Sequence, residues 1–234
     1  FVSDGLAACG YSYCKGGIMA TNDQWRQPLK VWRSYFDQWI EKPNPKTLLN
    51  SCIFFDLDGV FGELELVQEL KVLCARKSSA HPVFLSAMAR IALNRTPPLG
   101  FFRTFVVETD GQHKRIINLK GRGTAPLTDL IRIHALACGS TAQNSFDRMD
   151  AIANSNVIPP EALKQLRYAL EFLSMVRIRH QVDALEQGAA LNNYVEPERF
   201  SNSERHNLKE AFQVLSNGQN FLRFRYPSKG RLSS

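Results

Sequence analysis

With 234 residues, of which 44% are apolar and 22% charged, the chain can bury one large core or two small ones, and intrinsic disorder is excluded. Twenty-nine Lys and Arg against 22 Asp and Glu give a net charge of +7, which suits a phosphate-bearing partner. The basic residues are dispersed, apart from a tail with Arg223, Arg225, Lys229 and Arg231, and no interleaving of basic and aromatic residues marks a nucleic-acid surface. Five scattered cysteines without a Cys-x-x-Cys pair argue against a disulfide framework or a zinc site. No apolar run approaches the ~18 residues of a membrane span and no signal peptide opens the chain, so a reducing cytoplasm is the expected compartment.

Residues 1 to 22 mix glycines with short apolar stretches and read as a helix end followed by a loop. Trp25, Leu29, Trp32, Phe36 and Trp39 recur at steps of four and three, which places them on one helical face, with Pro28 either starting the main helix or kinking its first turn. Pro43-Asn-Pro45 ends that helix and leads into an apolar run, Ile53-Phe54-Phe55, which favours a strand over 51–56. Helical spacing returns from Phe61 to about Ala75 and from Pro82 to Leu93, and Asn94 to Gly100 breaks it at a subdomain junction. Phe101 to Val107 and His113 to Leu119, joined by Thr109-Asp-Gly-Gln112, predict a β-hairpin. Lys120 and Arg122 then leave a strand end beside Gly121 and Gly123, in position to present cations to a phosphate.

The rest is helical. Thr124 and Pro126 open a helix to Cys138 that is apolar nearly all round and therefore buried. Further helices cover about 141 to 154 and 160 to 187, and Ser201-x-x-Glu204 is a capping box for a last helix to about Arg225. On the 160 to 187 helix the apolar stripe Leu166, Leu170, Leu173 runs on into Arg177 and His180, with Gln181 adjacent. Gln219 interrupts the apolar face of the final helix. Polar groups on buried faces must bond each other or line a wet cavity, and an internal network is the expectation. The predicted class is α+β, predominantly helical, with a small sheet near the beginning followed by a helical bundle.

The chemistry concentrates at Asp56-Leu57-Asp58-Gly59. At the end of a strand, Asp56 and Asp58 point to one face, where two carboxylates suit a hard divalent cation; the alternative is a simple turn at Asp58-Gly59. An apolar strand followed by Asp-x-Asp-Gly resembles the first motif of the haloacid-dehalogenase-like phosphohydrolases, in which Asp56 would be the nucleophile and Asp58 the acid/base. That family's later motifs are not found: Asp129, Asp147, Asp150 and Asp183 all lie in helix-type sequence.

A second resemblance spans about 200 residues. Gly10-Tyr-x-x-Cys14-x-Gly-Gly-Ile-Met-Ala20-x-Asn22-x-x-Trp25-Arg-Gln27 and Ile53-Phe-Phe-Asp56 resemble the region around the third carboxylate of the nucleotidyltransferases related to protein-PII uridylyltransferase, in the polymerase-beta-like superfamily. Pro98-Leu-Gly-Phe-Phe102, Asn118-Leu-Lys120 with Gly123, Ala135-Leu136 and Arg177-x-Arg-His-Gln181 resemble their carboxy-terminal substrate-binding half. The resemblance implies the end of a nucleotidyltransferase domain over 1–78 and a helical substrate-binding domain over 79–234. It further implies Asp56 as catalytic residue, Asp56 and Asp58 as Mg²⁺ ligands, and Lys120, Arg177, His180 and Gln181 as substrate-binding residues. The partners implied are an NTP and a hydroxyl acceptor, protein or small molecule, in signalling, with cyclic-nucleotide-binding or CBS modules in the parent protein. The family's Gly-Ser and Asp-x-Asp elements are not in this sequence, and without an initiating Met an amino-terminal portion is expected to have been left out. The chain alone is expected to be inactive.

Overall fold

The computed structural model describes residues 1–100, 104–109 and 115–227. It is predominantly helical α+β, as expected. The helices are α1 (Val2–Ala8), α2 (Leu29–Glu41), α3 (Pro45–Phe54), α4 (Leu64–Ser79), α5 (Pro82–Leu93), α6 (Ala125–Ala137), α7 (Ser145–Ala153), α8 (Pro160–Glu186) and α9 (Asn202–Arg225). Three short strands, β1 (Glu108–Thr109), β2 (Arg115–Asn118) and β3 (Tyr194–Val195), form an antiparallel sheet in the order β1-β2-β3. No helix among the described residues is long and apolar enough to cross a membrane.

Two apolar cores share α6 and α9. One joins α6, α7, α8 and α9 with the sheet, through residues such as Leu127, Ile131, Leu173, Phe212 and Leu215. The other joins α2 to α5 with Ile133 and Leu136 of α6 and Leu222 of α9. From Leu130 to Leu136 every residue of α6 is buried, as its nearly uninterrupted apolar sequence predicts. The aromatic stripe is core too: Trp32, Phe36 and Trp39 project from α2, and Trp25 folds back from the preceding loop to 4.5 Å from Phe54. Pro28 starts α2 rather than kinking it.

The strand expected over 51–56 is a helix, and this corrects the sequence reading. Asn44 accepts from the backbone N–H groups of Lys46 and Thr47, Thr47 Oγ1 bonds back to the Asn44 N–H, and Pro45 occupies the first turn. These local caps start a helix that runs through the β-favouring residues. Burial follows the helical step, with Leu48, Ser51 and Phe55 inside and Ile53 exposed. Phe55 lies 5.0 Å from Phe36 and 5.9 Å from Phe84, so tertiary packing overrides strand propensity. The sheet accordingly joins strands from the middle of the chain to one at 194–195 and packs with the core of α8 and α9, rather than standing near the beginning.

An antiparallel pair does form at the predicted hairpin, with Glu108 opposite Ile116 and Thr109 opposite Arg115, but β1 follows the predicted first strand and runs into the predicted connection at Thr109, while in 104–107 Phe105 makes only an isolated bridge to Leu99. The predicted turn at 110–112 and the positions 101–103, 113 and 114 lie outside the described residues, as do Lys229 and Arg231 of the basic tail. The pair Gly121 and Gly123 falls in a single π-helical turn, Lys120–Thr124, that feeds directly into α6. Gly123 packs closely there: a Cβ would lie 3.2 Å from Leu173 Cδ1 and 3.3 Å from the Phe212 ring, so those side chains would have to give way to any larger residue.

Candidate functional site

Asp56 follows the last residues of α3, at the negative end of the helix dipole, where a carboxylate needs compensation. Two buried guanidiniums supply it. Arg132 donates from Nε to Oδ1 at 3.1 Å and from Nη2 to Oδ2 at 2.5 Å, and Arg148 donates from Nη2 to Oδ1 at 2.5 Å. The arginine side chains are 7% and 3% exposed, against 31% for Asp56. Burial alone would raise the Asp56 pKa, but the hydrogen bonds and charge of Arg132, with Arg148 behind it, hold it below the ordinary 3.8. Arg148 also reaches the Phe55 carbonyl, and Gln143 donates to the Leu57 carbonyl at 2.8 Å. The loop after α3 is thus fastened to α6 and α7.

This arrangement does not fit a Mg²⁺ site. Hard cations need about six oxygen ligands, yet both Asp56 oxygens already accept from arginine. Asp58 is exposed and 3.5 Å from Lys71. Among the described residues no three His, Cys, Asp or Glu side chains come together in a set that could hold a metal ion. Nor does Asp56 stand at a strand end, so the structural setting of the phosphohydrolase motif is missing as well.

The other side of Arg132 faces a cleft of about 430 Å³. Lys120 and Thr124 from the π turn, Thr128 and Asp129 from α6, Asn144 and Ser145 at the start of α7, and Ser174 and Arg177 from α8 line it. Arg132 Nη1 donates to Asp129 at 2.6 Å, so that pair is neutralised within the wall. Arg177 differs: Nη1 donates to Thr124 Oγ1 at 3.3 Å, while its buried Nε has no partner among the described residues. Lys120 is exposed on the same cleft. Asn144 caps α7 by accepting from the Phe146 N–H at 2.8 Å, so the positive end of that helix also faces the cleft. Two cations, hydroxyls from Thr124, Thr128, Ser145 and Ser174, and a helix amino terminus make a setting for an anionic group.

Of the substrate-binding residues expected from sequence, Lys120 and Arg177 come together here. His180 and Gln181 do not. His180 Nε2 lies 3.1 Å from Asn192 Oδ1 and faces a separate cavity of about 440 Å³, and Gln181 donates to Asn193 at 3.5 Å. Gln219 lies elsewhere again, donating to the Ala92 and Arg95 carbonyls at 3.3 and 2.7 Å. The expected internal network therefore does not form; each polar group has a neighbour of its own.

Arg132 and Arg148 are not among the site residues read from the sequence, and Asp129 enters there only as a carboxylate in helix-type sequence. Arg132 carried a signal, as a charged residue in a helix otherwise apolar nearly all round; Arg148, on a helix of mixed composition, carried none.

The fold is a helical domain with a cleft lined by two cationic side chains and several hydroxyls. Residues 82–226 match the family described as "Putative nucleotidyltransferase substrate binding domain", and residues 1–46 match "Putative nucleotidyltransferase". The first match covers more than half of the chain, which belongs to that family. Membership supports a role in nucleotidyl transfer in general terms. No curated protein and no solved structure matches the chain.

Proposed function

We propose that this chain is the substrate-holding part of a nucleotidyltransferase and that the cleft between Lys120 and Arg177 receives an anionic group of the NTP or of the acceptor. The observation that supports it is Arg177, which lines the cleft with a buried Nε that has no partner among the described residues, beside the exposed Lys120. A phosphate oxygen there would supply the missing acceptor. The acceptor hydroxyl belongs to a protein or a small molecule and the role is in signalling, as the likeness to the uridylyltransferases implies. Transfer itself requires residues outside this chain's cleft, since Asp56 and Asp58 make no metal site.

Calorimetric titration with inorganic phosphate, pyrophosphate, ATP and UTP tests the reading. Binding that weakens with added salt and falls about tenfold in Lys120→Gln is expected, since a charge-assisted contact contributes on the order of 1.5 kcal/mol. Absence of binding by all four anions, or equal binding by the variant, would sink it. Comparing phosphate with the nucleotides separates a general anion site from an NTP site. Pyrophosphate release by the chain alone would show that transfer needs nothing more.

A second reading, a catalytically silent interaction module, draws on Val60 and Phe61, which are 96% and 100% exposed in the loop after Asp58. A chain that binds none of the four anions yet self-associates, with association lost in Phe61→Ser, would favour it. The phosphohydrolase reading predicts a beryllofluoride adduct at Asp56; none is expected, because both oxygens are bound by arginine.

A further inference from the structure

The longest helix, α8, carries an apolar stripe that faces away from the core. Tyr168, Met175, Ile178, Val182 and Leu185 recur at steps of seven, three, four and three, which keeps them on one side of the helix over about 25 Å. Each of the five is between 45% and 62% exposed, while Leu166, Leu170 and Leu173 on the other side are buried. None of the five lines the cleft of Lys120 and Arg177 or the cavity at His180. Single apolar residues on a surface are ordinary, but a run at this spacing is the pattern of a helix seam that packs on another helix.

The charges along the same side are arranged about Met175, which stands near the middle of α8. Four positions before it is Glu171 and four after it is Arg179; eleven before it is Lys164 and eleven after it is Glu186. Opposite signs therefore lie at equal distances from Met175. Apolar residues are matched in the same way, Phe172 with Ile178 at three positions and Tyr168 with Val182 at seven. The Tyr168 and Phe172 rings stack 6.0 Å apart, which makes that end of the stripe a flat aromatic surface. Lys164 and Arg179 are held within the chain by surface pairs to Glu161 and Glu204, at 3.2 and 3.0 Å, and such pairs contribute little and exchange readily.

We propose that this face of α8 pairs with the same face of a second copy of the chain, antiparallel, about a two-fold axis at Met175. Residues equally far before and after Met175 then meet: Glu171 faces Arg179 of the second copy, Lys164 faces Glu186, Tyr168 packs on Val182 and Phe172 on Ile178. Each contact occurs twice, as a two-fold interface requires. Parallel pairing in register would set Glu171 on Glu171 and Lys164 on Lys164, and like charges in opposition select against it. The area agrees. Five side chains about half exposed present on the order of 500 Å² per copy, so two copies with their charged borders cover more than about 1,000 Å², where specific interfaces begin. An interface of that size makes a reversible dimer rather than an obligate one.

Sedimentation of the full chain over a range of concentrations tests the pairing, and a reversible monomer–dimer equilibrium is expected. Met175→Glu sets two carboxylates against each other at the axis and should weaken the dimer about tenfold or more, with the melting temperature of the dilute chain unchanged because Met175 is exposed. Lys164→Glu and Glu186→Lys should each weaken it several-fold, and the two together should restore it. These residues are 22 positions apart on α8, about 33 Å, so they cannot meet within one chain and only an antiparallel partner couples them. Both are exposed, so the exchange keeps the test decisive if Met175→Glu fails to fold. Three results would overturn the proposal: a chain that stays monomeric throughout, a dimer that Met175→Glu leaves intact, including one lost in Phe61→Ser instead, or a double exchange that restores nothing.

Discussion

Arg132 and Asp56 are 76 residues apart in sequence and form a two-point guanidinium–carboxylate pair, at 3.1 and 2.5 Å. The pair closes the loop after α3 onto α6, its arginine lines the cleft, and Arg148 binds the same carboxylate from α7. Breaking such a pair leaves buried charge uncompensated, and this is where the molecule should be most sensitive.

Asp56→Asn is therefore expected to lower stability by roughly 2 to 4 kcal/mol in urea unfolding, the lower end reflecting the partial exposure of the carboxylate. A free metal ligand would behave oppositely, since removing an unpaired carboxylate leaves stability unchanged or improved. The pH dependence has a definite sign. The folded pKa lies below 3.8, so this contribution is present above about 3.8 and is lost as pH falls through the folded value.

Arg177→Met should separate binding from stability. The arginine makes a 3.3 Å hydrogen bond and buries an unpaired Nε, so its replacement by an apolar side chain of similar length should change stability by no more than about 1 kcal/mol in either direction. Phosphate affinity, measured by calorimetry, should fall about tenfold or more. A large loss of stability with unchanged affinity would assign Arg177 to the scaffold.

Gln219→Leu should be plainly destabilising. Gln219 is buried and donates to the Ala92 and Arg95 carbonyls, which tie α9 to the end of α5. Leucine leaves both carbonyls unpaired at a cost of about 1 to 3 kcal/mol, readable as a lower urea midpoint. Equal midpoints would mean that water replaces the amide.

His134, fully buried in α6, predicts acid sensitivity above the carboxylate range. Its folded pKa is depressed from 6.5 to about 3, so the neutral ring favours the fold, and this contribution is fully present above pH 6.5 and lost as pH falls towards 3. Between pH 6.5 and about 5 the wild-type melting temperature should drop, with a limiting slope of about 1.4 kcal/mol per pH unit, and the His134→Phe curve should be flatter. Parallel curves would show that His134 does not titrate as a buried group.

Much of this architecture is local and was legible without coordinates. The Ser201–Glu204 capping box opens α9, Pro82 sits in the first turn of α5, the apolar run to Cys138 is the buried α6, and β2 lies within the second strand of the expected hairpin. Each depends on residues within a few positions of one another, so spacing and residue type suffice. The run at 53–55 failed as a strand because two influences competed: β propensity in the run itself, and the Asn44 cap with an aromatic cluster contributed by α2 and α5. Only packing decided between them. The site follows the same division. That Lys120 and Arg177 are cations suited to an anion was visible in their type, but that they share a cleft while His180, one turn further along α8, does not is set by which elements stand beside each turn of that helix. The partners of Asp56 lie 76 and 92 residues away, and no local pattern encodes contacts at that separation; they exist because the two cores pack on opposite sides of α6 and bring its one buried arginine against the end of α3.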